Sequence, residues 1–285
     1  NEPIQCLVNP TCGFEYLNEF KKTDSPKKII VVGAGPGGLE AARTAALAGH
    51  KITLYEQSGR FGGQFATGAV PPGKGDMTSF ISWLVGQVKK LGVEIKLNTK
   101  YTAEICDEEK PDLVIIATGA TPKKPPIPGI DGENVVCAED VLLGKVSAKQ
   151  KVVVAGGGMV GCETAVYLAS LGKQVKIVEM LPVIASDEEF TRRALLMKDI
   201  EEKHIEVFTD SKIIDINASG VKIEKNQETL TIDAETVVLA LGMTPNDALV
   251  KELEGKVPLK VIGDAVKSRN GLEAVREGFL AAVQA

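Results

Sequence analysis

Six glycines and two glutamates carry the most specific chemical signal in this sequence. Gly33, Gly35 and Gly38 stand in G-x-G-x-x-G spacing, and Glu56 follows at the end of the next apolar run. Gly156, Gly158 and Gly161 repeat that spacing, and Glu179 stands at the same offset from Gly156 as Glu56 does from Gly33. In such a set the first glycine permits a tight turn and the second lets backbone approach a pyrophosphate. The third lets a helix pack closely on a strand, and the carboxylate receives ribose hydroxyls. Two sets imply two dinucleotides. Hydride transfer between a nicotinamide and a flavin is the economical chemistry for such a pair.

These residues need a strand before the glycines, a helix after them and a second strand ending at the acid. The sequence supplies all three, twice. "KIIVV" and "KVVVA" are apolar runs rich in β-branched residues, as in buried parallel strands. "LEAARTAALAGH" and "CETAVYLASLGK" read as packed helices whose N-termini offer unpaired N–H groups to phosphate. "KITLYE" and "QVKIVE" end in Glu56 and Glu179. A lone glycine motif is weak evidence, because glycine turns that bind nothing are common. Two complete units at equal spacing are strong evidence. The fold class expected is α/β, with two Rossmann-like dinucleotide-binding domains.

Composition sets the bounds. At about 150 residues per domain, 285 residues make two. Hydrophobic residues are 44% and charged residues 25%, ordinary for a globular protein. A net charge of −5 and a pI of 5.4 argue against nucleic-acid and membrane-surface binding, which favour clustered Lys and Arg. Apolar runs such as "DLVIIA" and "TVVLAL" are strand-length, short of the roughly 20 residues a membrane span needs. No signal-peptide pattern opens the chain, and its first residue, Asn1, reads as a processed or cut start. The five cysteines (Cys6, Cys12, Cys106, Cys137 and Cys162) are odd in number and loosely spaced, which points to a reducing cytoplasm rather than a disulfide framework. No C-x-x-C or C-x₄-C pair is present, which argues against a dithiol mechanism.

Three further stretches extend the pattern: "VIIATGATPKKPPIPG", "VVLALGMTPN" and "LKVIGDAV". With them the chain resembles the two-dinucleotide-domain flavoproteins of the glutathione-reductase-like superfamily. That resemblance implies FAD on the first fingerprint and NAD(P)H on the second. Because "GDAV" lies far past Gly33, beyond the whole second fingerprint, it also implies a discontinuous FAD domain with the NAD domain inserted into it. The ranges expected are 26–145 with 252–285 for FAD and 146–251 for NAD, with 1–25 leading from an upstream domain. "CLVNPTCGFE", "GRFGGQFATGAVPPGKGDM" and "GGGMVGCETA" narrow the likeness to the C-terminal part of the 2,4-dienoyl-CoA reductase and 2-enoate reductase group. Such old-yellow-enzyme-like proteins join an FMN-bearing barrel and an iron–sulfur cluster to an FAD/NAD(P)H module. The resemblance makes Cys6 the last of four [4Fe–4S] ligands, the other three lying upstream. Cluster and FMN therefore belong to a full-length parent, and the missing N-terminal barrel, or an equivalent electron acceptor, is the implied partner.

The same resemblance assigns the flavin site to Gly33, Gly35, Pro36, Gly37, Gly38, Glu56, Gln57, Arg60, Gly63 and Gln64. Tyr101, Ala117, Thr118, Gly119, Gly263 and Asp264 complete it. It assigns the nicotinamide site to Gly156, Gly158, Met159, Val160, Gly161, Glu163, Glu179 and Gly242. Several of these have a plain alternative. Gln64 either approaches the flavin or is a polar loop residue, and Arg60 either pairs with FAD phosphates or is solvated. Tyr101 offers its backbone to adenine while its side chain does nothing. Glu163 touches the nicotinamide ribose region or caps the glycine turn. His50 and His204, the only histidines, read as structural or solvated. No catalytic side chain is assigned, because hydride transfer needs positioning more than acid–base groups. Glu179 predicts a preference for NADH. A 2′-phosphate about 4 Å from a carboxylate costs about 4 kcal/mol at an effective dielectric near 20, and the nearest following basic residues, Arg192 and Arg193, lie well past the loop. Two other readings remain: a nucleotide-binding scaffold without redox activity, and a stand-alone NADH:acceptor reductase.

Overall fold

The computed structural model describes residues 4–17, 22–186 and 188–285. The chain divides into two compact units. The first comprises Asn1–Ala69, Lys74–Thr121 and Thr244–Ala285, and the second Val70–Gly73 and Pro122–Met243.

The first unit is built on a five-stranded sheet ordered Leu259–Val261, Leu113–Ile116, Lys28–Val32, Lys51–Tyr55, Glu94–Lys96. Every pairing in it is parallel. Side chains on a strand alternate between faces, so one apolar run feeds two cores. Ile29 and Val31 join Leu39, Leu54, Leu84 and Ile115 beneath the helices Pro36–Leu47, Gly75–Lys90 and Gly271–Val283. Ile30 and Val32 join Tyr55, Val114, Ile116, Leu249 and Leu253 on the other face. The last strand enters from beyond the whole second unit in the sequence, since Leu259 pairs with Val114. The inserted arrangement is thus present.

The second unit repeats the plan. Its parallel sheet runs Val135–Cys137, Thr236–Leu239, Lys151–Ala155, Gln174–Val178, Glu206–Phe208. Helices Met159–Ser170 and Phe190–Glu202 contribute to the core on one face. An antiparallel sheet of Lys212–Asn217, Gly220–Lys225 and Glu228–Asp233 packs on the other, through Ile213, Ile216, Val221, Ile223 and Ile232. In both units the strand before the glycines is central and the strand order reverses beside it. That is where parallel α/β sheets place ligands, at the carboxyl ends.

The unit boundaries differ from the ranges expected from sequence. Residues 122–145 fall in the second unit, because Val135–Cys137 forms its edge strand against Thr236–Leu239 and Ala138 and Val141 enter its core. Residues 244–251 fall in the first, where Leu249 is buried. The described part of 1–25 belongs to the first unit as well. Leu7 packs on its core and the Arg276 guanidinium sits 5.3 Å from the Phe14 ring centroid. Among the described residues no helix is long and apolar enough to cross a membrane.

Candidate functional site: two matched dinucleotide cradles

The first cradle lies at the carboxyl end of Lys28–Val32. Gly33 has φ +107°, a conformation that L side chains rarely adopt, and a Cβ there would stand 2.3 Å from the Ala117 carbonyl oxygen. A Cβ on Gly38 would stand 1.9 Å from the Gly33 carbonyl oxygen, so only glycine lets the helix start this close to the strand. Gly37 meets the backbone of Ala274 in the same way. Gly35 is different: nothing lies within 4 Å of where its Cβ would be. It is the N-cap of Pro36–Leu47, and no side chain caps that helix. By contrast, Thr102, Glu189 and Asn270 each cap their own helices. The first turn therefore keeps its N–H groups for an anion in open space.

Glu56 completes the cradle. Its Oε2 accepts from Ala34 N at 2.9 Å and its Oε1 from Ser58 N at 2.7 Å. Two backbone amides hold the carboxylate at the strand end, and each oxygen retains a lone pair for a ribose hydroxyl.

The second cradle matches the first closely. Gly156 has φ +104°, and its Cβ would meet the Ala240 carbonyl oxygen at 2.3 Å. A Cβ on Gly161 would meet the Gly156 carbonyl oxygen at 2.0 Å, and Gly158 again faces open space. Gly158 is the N-cap of Met159–Ser170, also without a capping side chain. Glu179 Oε2 accepts from Gly157 N at 2.6 Å and its Oε1 from Leu181 N at 2.8 Å. Its residue is 9% exposed, so this carboxylate is fixed in a largely dry position.

These features fit two bound dinucleotides. Each cradle has an open glycine, an uncapped helix start and an anchored acid.

The other residues expected at the flavin site all lie in the first unit. Gly63 approaches Gly35, with 3.5 Å from its ideal Cβ to Gly35 Cα. Gln64 donates through Nε2 to the Ala120 carbonyl, tying its helix to the loop after Leu113–Ile116. In that loop Ala117 N donates to Val32 O at 2.8 Å and Thr118 Oγ1 to Asn246 O at 2.7 Å. Gly119 has φ +71° and accepts from Asn246 N. Gln57 and Arg60 are exposed. Asp264 Oδ1 accepts from Arg269 N at 3.0 Å, while burial pushes its carboxyl above the usual carboxylate range. Gly263 N donates to Glu277 Oε2 at 2.6 Å, and Glu277 also pairs with Arg269. Glu277 and Arg269 were missed in the sequence because no motif spacing marks them. They brace the Gly-Asp turn from the following helix and the loop before it. Tyr101 is placed in the core rather than at the surface. It is 2% exposed, packs edge-on to Tyr55 at 4.9 Å, and burial raises its hydroxyl pKa.

Around the second cradle, Val160 is exposed and Met159 and Glu163 are half-buried in the first turns of the helix. The repeat pairs Glu163, which is half-buried, with Glu40, which is fully buried. Glu40 is buried and engaged by Arg43 and Thr44. Gly242 has φ +89° and accepts from Lys123 N. Arg192, well past the loop after Glu179 in the sequence, is brought back towards the second cradle. The loop after Glu179 folds back, with Ala185 N donating to Gly157 O at 2.7 Å. Arg192 Nη2 consequently reaches within 4.0 Å of Met159 Sδ.

Of the histidines, His50 Nδ1 accepts from Lys27 N and His204 is exposed with φ +54°. All five cysteines are free thiols, and Cys162 donates to the Gly157 carbonyl beneath the glycine turn. Cys6 is half-buried. Among the described residues no group of three His, Cys, Asp or Glu could hold a metal.

The sequence model described as pyridine nucleotide-disulphide oxidoreductase matches residues 27–266. An NADH oxidase of Thermoanaerobacter brockii is 41% identical over 100% of this chain and 45% of its own length. A cinnamate reductase of Clostridium sporogenes is 38% identical over 97% of this chain and 42% of its own. A solved structure of 2-naphthoyl-CoA reductase with 2-naphthoyl-CoA superimposes with a TM-score of 0.95 and 36% identity, over 99% of this chain and 43% of that one. The chain spans less than half the length of these relatives.

Proposed function

The chain belongs to the pyridine nucleotide-disulphide oxidoreductase family, and from that premise we propose that it is the NADH-oxidising, FAD-binding part of a larger enzyme that reduces an activated C=C bond. As a family member it is an FAD-dependent NAD(P)H oxidoreductase with FAD and NAD(P)H as its cofactors. When bound, the two cofactors would supply the redox chemistry, hydride transfer between a nicotinamide and a flavin. The chain's own residues bind and orient. Gly33, Gly35 and Gly38 with the first turn of Pro36–Leu47 receive the flavin dinucleotide's phosphates, and Glu56 its ribose. Gly156, Gly158 and Gly161 with the first turn of Met159–Ser170 do the same for the nicotinamide dinucleotide, and Glu179 receives the ribose nearest the adenine. No proton transfer by a side chain is required.

The observation that carries this reading is the matched pair of anchored acids, Ala34 N to Glu56 and Gly157 N to Glu179. Glu179, held by two amides, repels a 2′-phosphate and makes NADH the preferred donor. The onward acceptor would be a barrel domain of a full-length parent in a reducing cytoplasm, which would hold the iron–sulfur cluster and FMN. Support comes from the shares of length matched in a cinnamate reductase and in 2-naphthoyl-CoA reductase. Cys6 would there contribute one of four thiolates.

The test is a visible spectrum of the purified chain followed by NADH without oxygen. The flavin band should bleach with NADH and more slowly with NADPH. A colourless protein that refuses added FAD would overturn the proposal.

A further inference from the structure

Resting on the reading that the second cradle holds the pyridine dinucleotide, we propose that Arg192 is a positioning residue whose guanidinium meets that cofactor's pyrophosphate. Arg192 stands well beyond Gly158 in sequence, yet three contacts bring it back. Ala185 N bonds to Gly157 O at 2.7 Å, which lays the loop over the glycine turn. Glu189 caps the next helix by accepting from Thr191 N and Arg192 N, at 3.0 and 3.2 Å. Arg193 Nε donates to Ile184 O at 3.2 Å and locks that helix onto the loop. The Arg192 guanidinium then lies 4.0 Å from the sulfur of Met159, the first residue of the uncapped helix.

The guanidinium has donors to spare. Glu188 Oε1 engages Nη1 at 3.3 Å, longer than a tight charge-assisted bond, and a guanidinium carries five N–H donors. The Arg192 side chain is 62% exposed. Gly158 beside it opens onto empty space. A helix N-terminus attracts phosphate with partial charge only, and a full cation at its first residue adds the missing half. The pyrophosphate is favoured over a ribose 2′-phosphate by position. The guanidinium is recorded at Met159, at the helix start, whereas Glu179 with its negative charge marks the ribose end.

The experiment is calorimetric titration of the oxidised holoprotein with NAD+, NADP+ and ADP-ribose, none of which reduces the flavin. Arg192→Gln should weaken all three by a similar factor of about fivefold, and flatten the salt dependence of binding. Arg192→Lys should recover part of the loss. Because the side chain is exposed, the unfolding midpoint should stay unchanged. A loss confined to NADP+ would assign the guanidinium to the ribose phosphate and overturn the proposal, as would a loss seen with NAD+ but not ADP-ribose. Unchanged affinities in Arg192→Gln would overturn it alone. A wild-type protein that binds none of the three would instead overturn the reading beneath it.

Discussion

At the scale of single residues, the two fingerprint acids are structural as well as candidate ribose ligands. Each is clamped by two backbone amides, so each also shapes its glycine turn. Glu179→Ala should therefore weaken NADH and raise the NADPH-to-NADH preference by at least about tenfold, half the repulsion expected for one charge pair being enough. Steady-state kinetics or titration with the oxidised nucleotides would measure it, and an unchanged ratio would remove Glu179 as the discriminator. Glu109 answers to pH rather than to a cofactor. Hydrogen bonds from Lys28, then Lys96, hold its carboxyl down to about 2. The unfolded chain titrates near 4.3. The stabilisation is complete above that value and is lost as pH falls from it through about 2. Urea unfolding across this range should show a steeper acid loss in the wild type than in Glu109→Gln. This cluster left no signal in the sequence, because Lys28, Tyr55, Lys96 and Glu109 meet only across strands and a crossover helix.

At the scale of elements, strand–glycine–helix units were legible because their geometry is local. The Gly33 and Gly156 turns, the close helix starts at Gly38 and Gly161, and the acids closing the next strands depend on neighbours within one βαβ unit. The two units can be separated by one methyl group each. Gly38→Ala drives a Cβ to 1.9 Å from the Gly33 carbonyl oxygen, and Gly161→Ala to 2.0 Å from that of Gly156. Gly38→Ala should cost the protein its flavin colour while NAD+ binding persists. Gly161→Ala should keep the colour and lose NAD+ binding, read by calorimetry. The opposite pairing would exchange the cofactor assignments. The crossovers before the strands Leu113–Ile116 and Thr236–Leu239 were not legible in the same way. One is the helix Ala103–Glu109 and the other an antiparallel three-stranded sheet, and both are chosen by which apolar face needs covering.

At the scale of the molecule, each unit has cores of its own. Thermal unfolding should accordingly show two transitions. FAD should raise one and NAD+ the other, by about 2.7 kcal/mol at a hundredfold excess over the dissociation constant. A single transition moved equally by both would contradict independent cores. The sequence by itself determined the doubled Rossmann plan and the positions of both glycine turns and acids, and the family resemblance of its late Gly-Asp motif implied that the chain returns to its first domain. All of these follow from short-range spacing or from a motif that cannot stand alone. Tertiary structure alone decided where one unit gives way to the other, which side chains are spent on bracing, and that Arg192 returns to Met159. Strand pairing between Val135–Cys137 and Thr236–Leu239, burial of Leu249 and the folded-back loop at Ala185 are long-range events. Their energy lies in contacts between segments far apart in the chain, which local spacing does not encode.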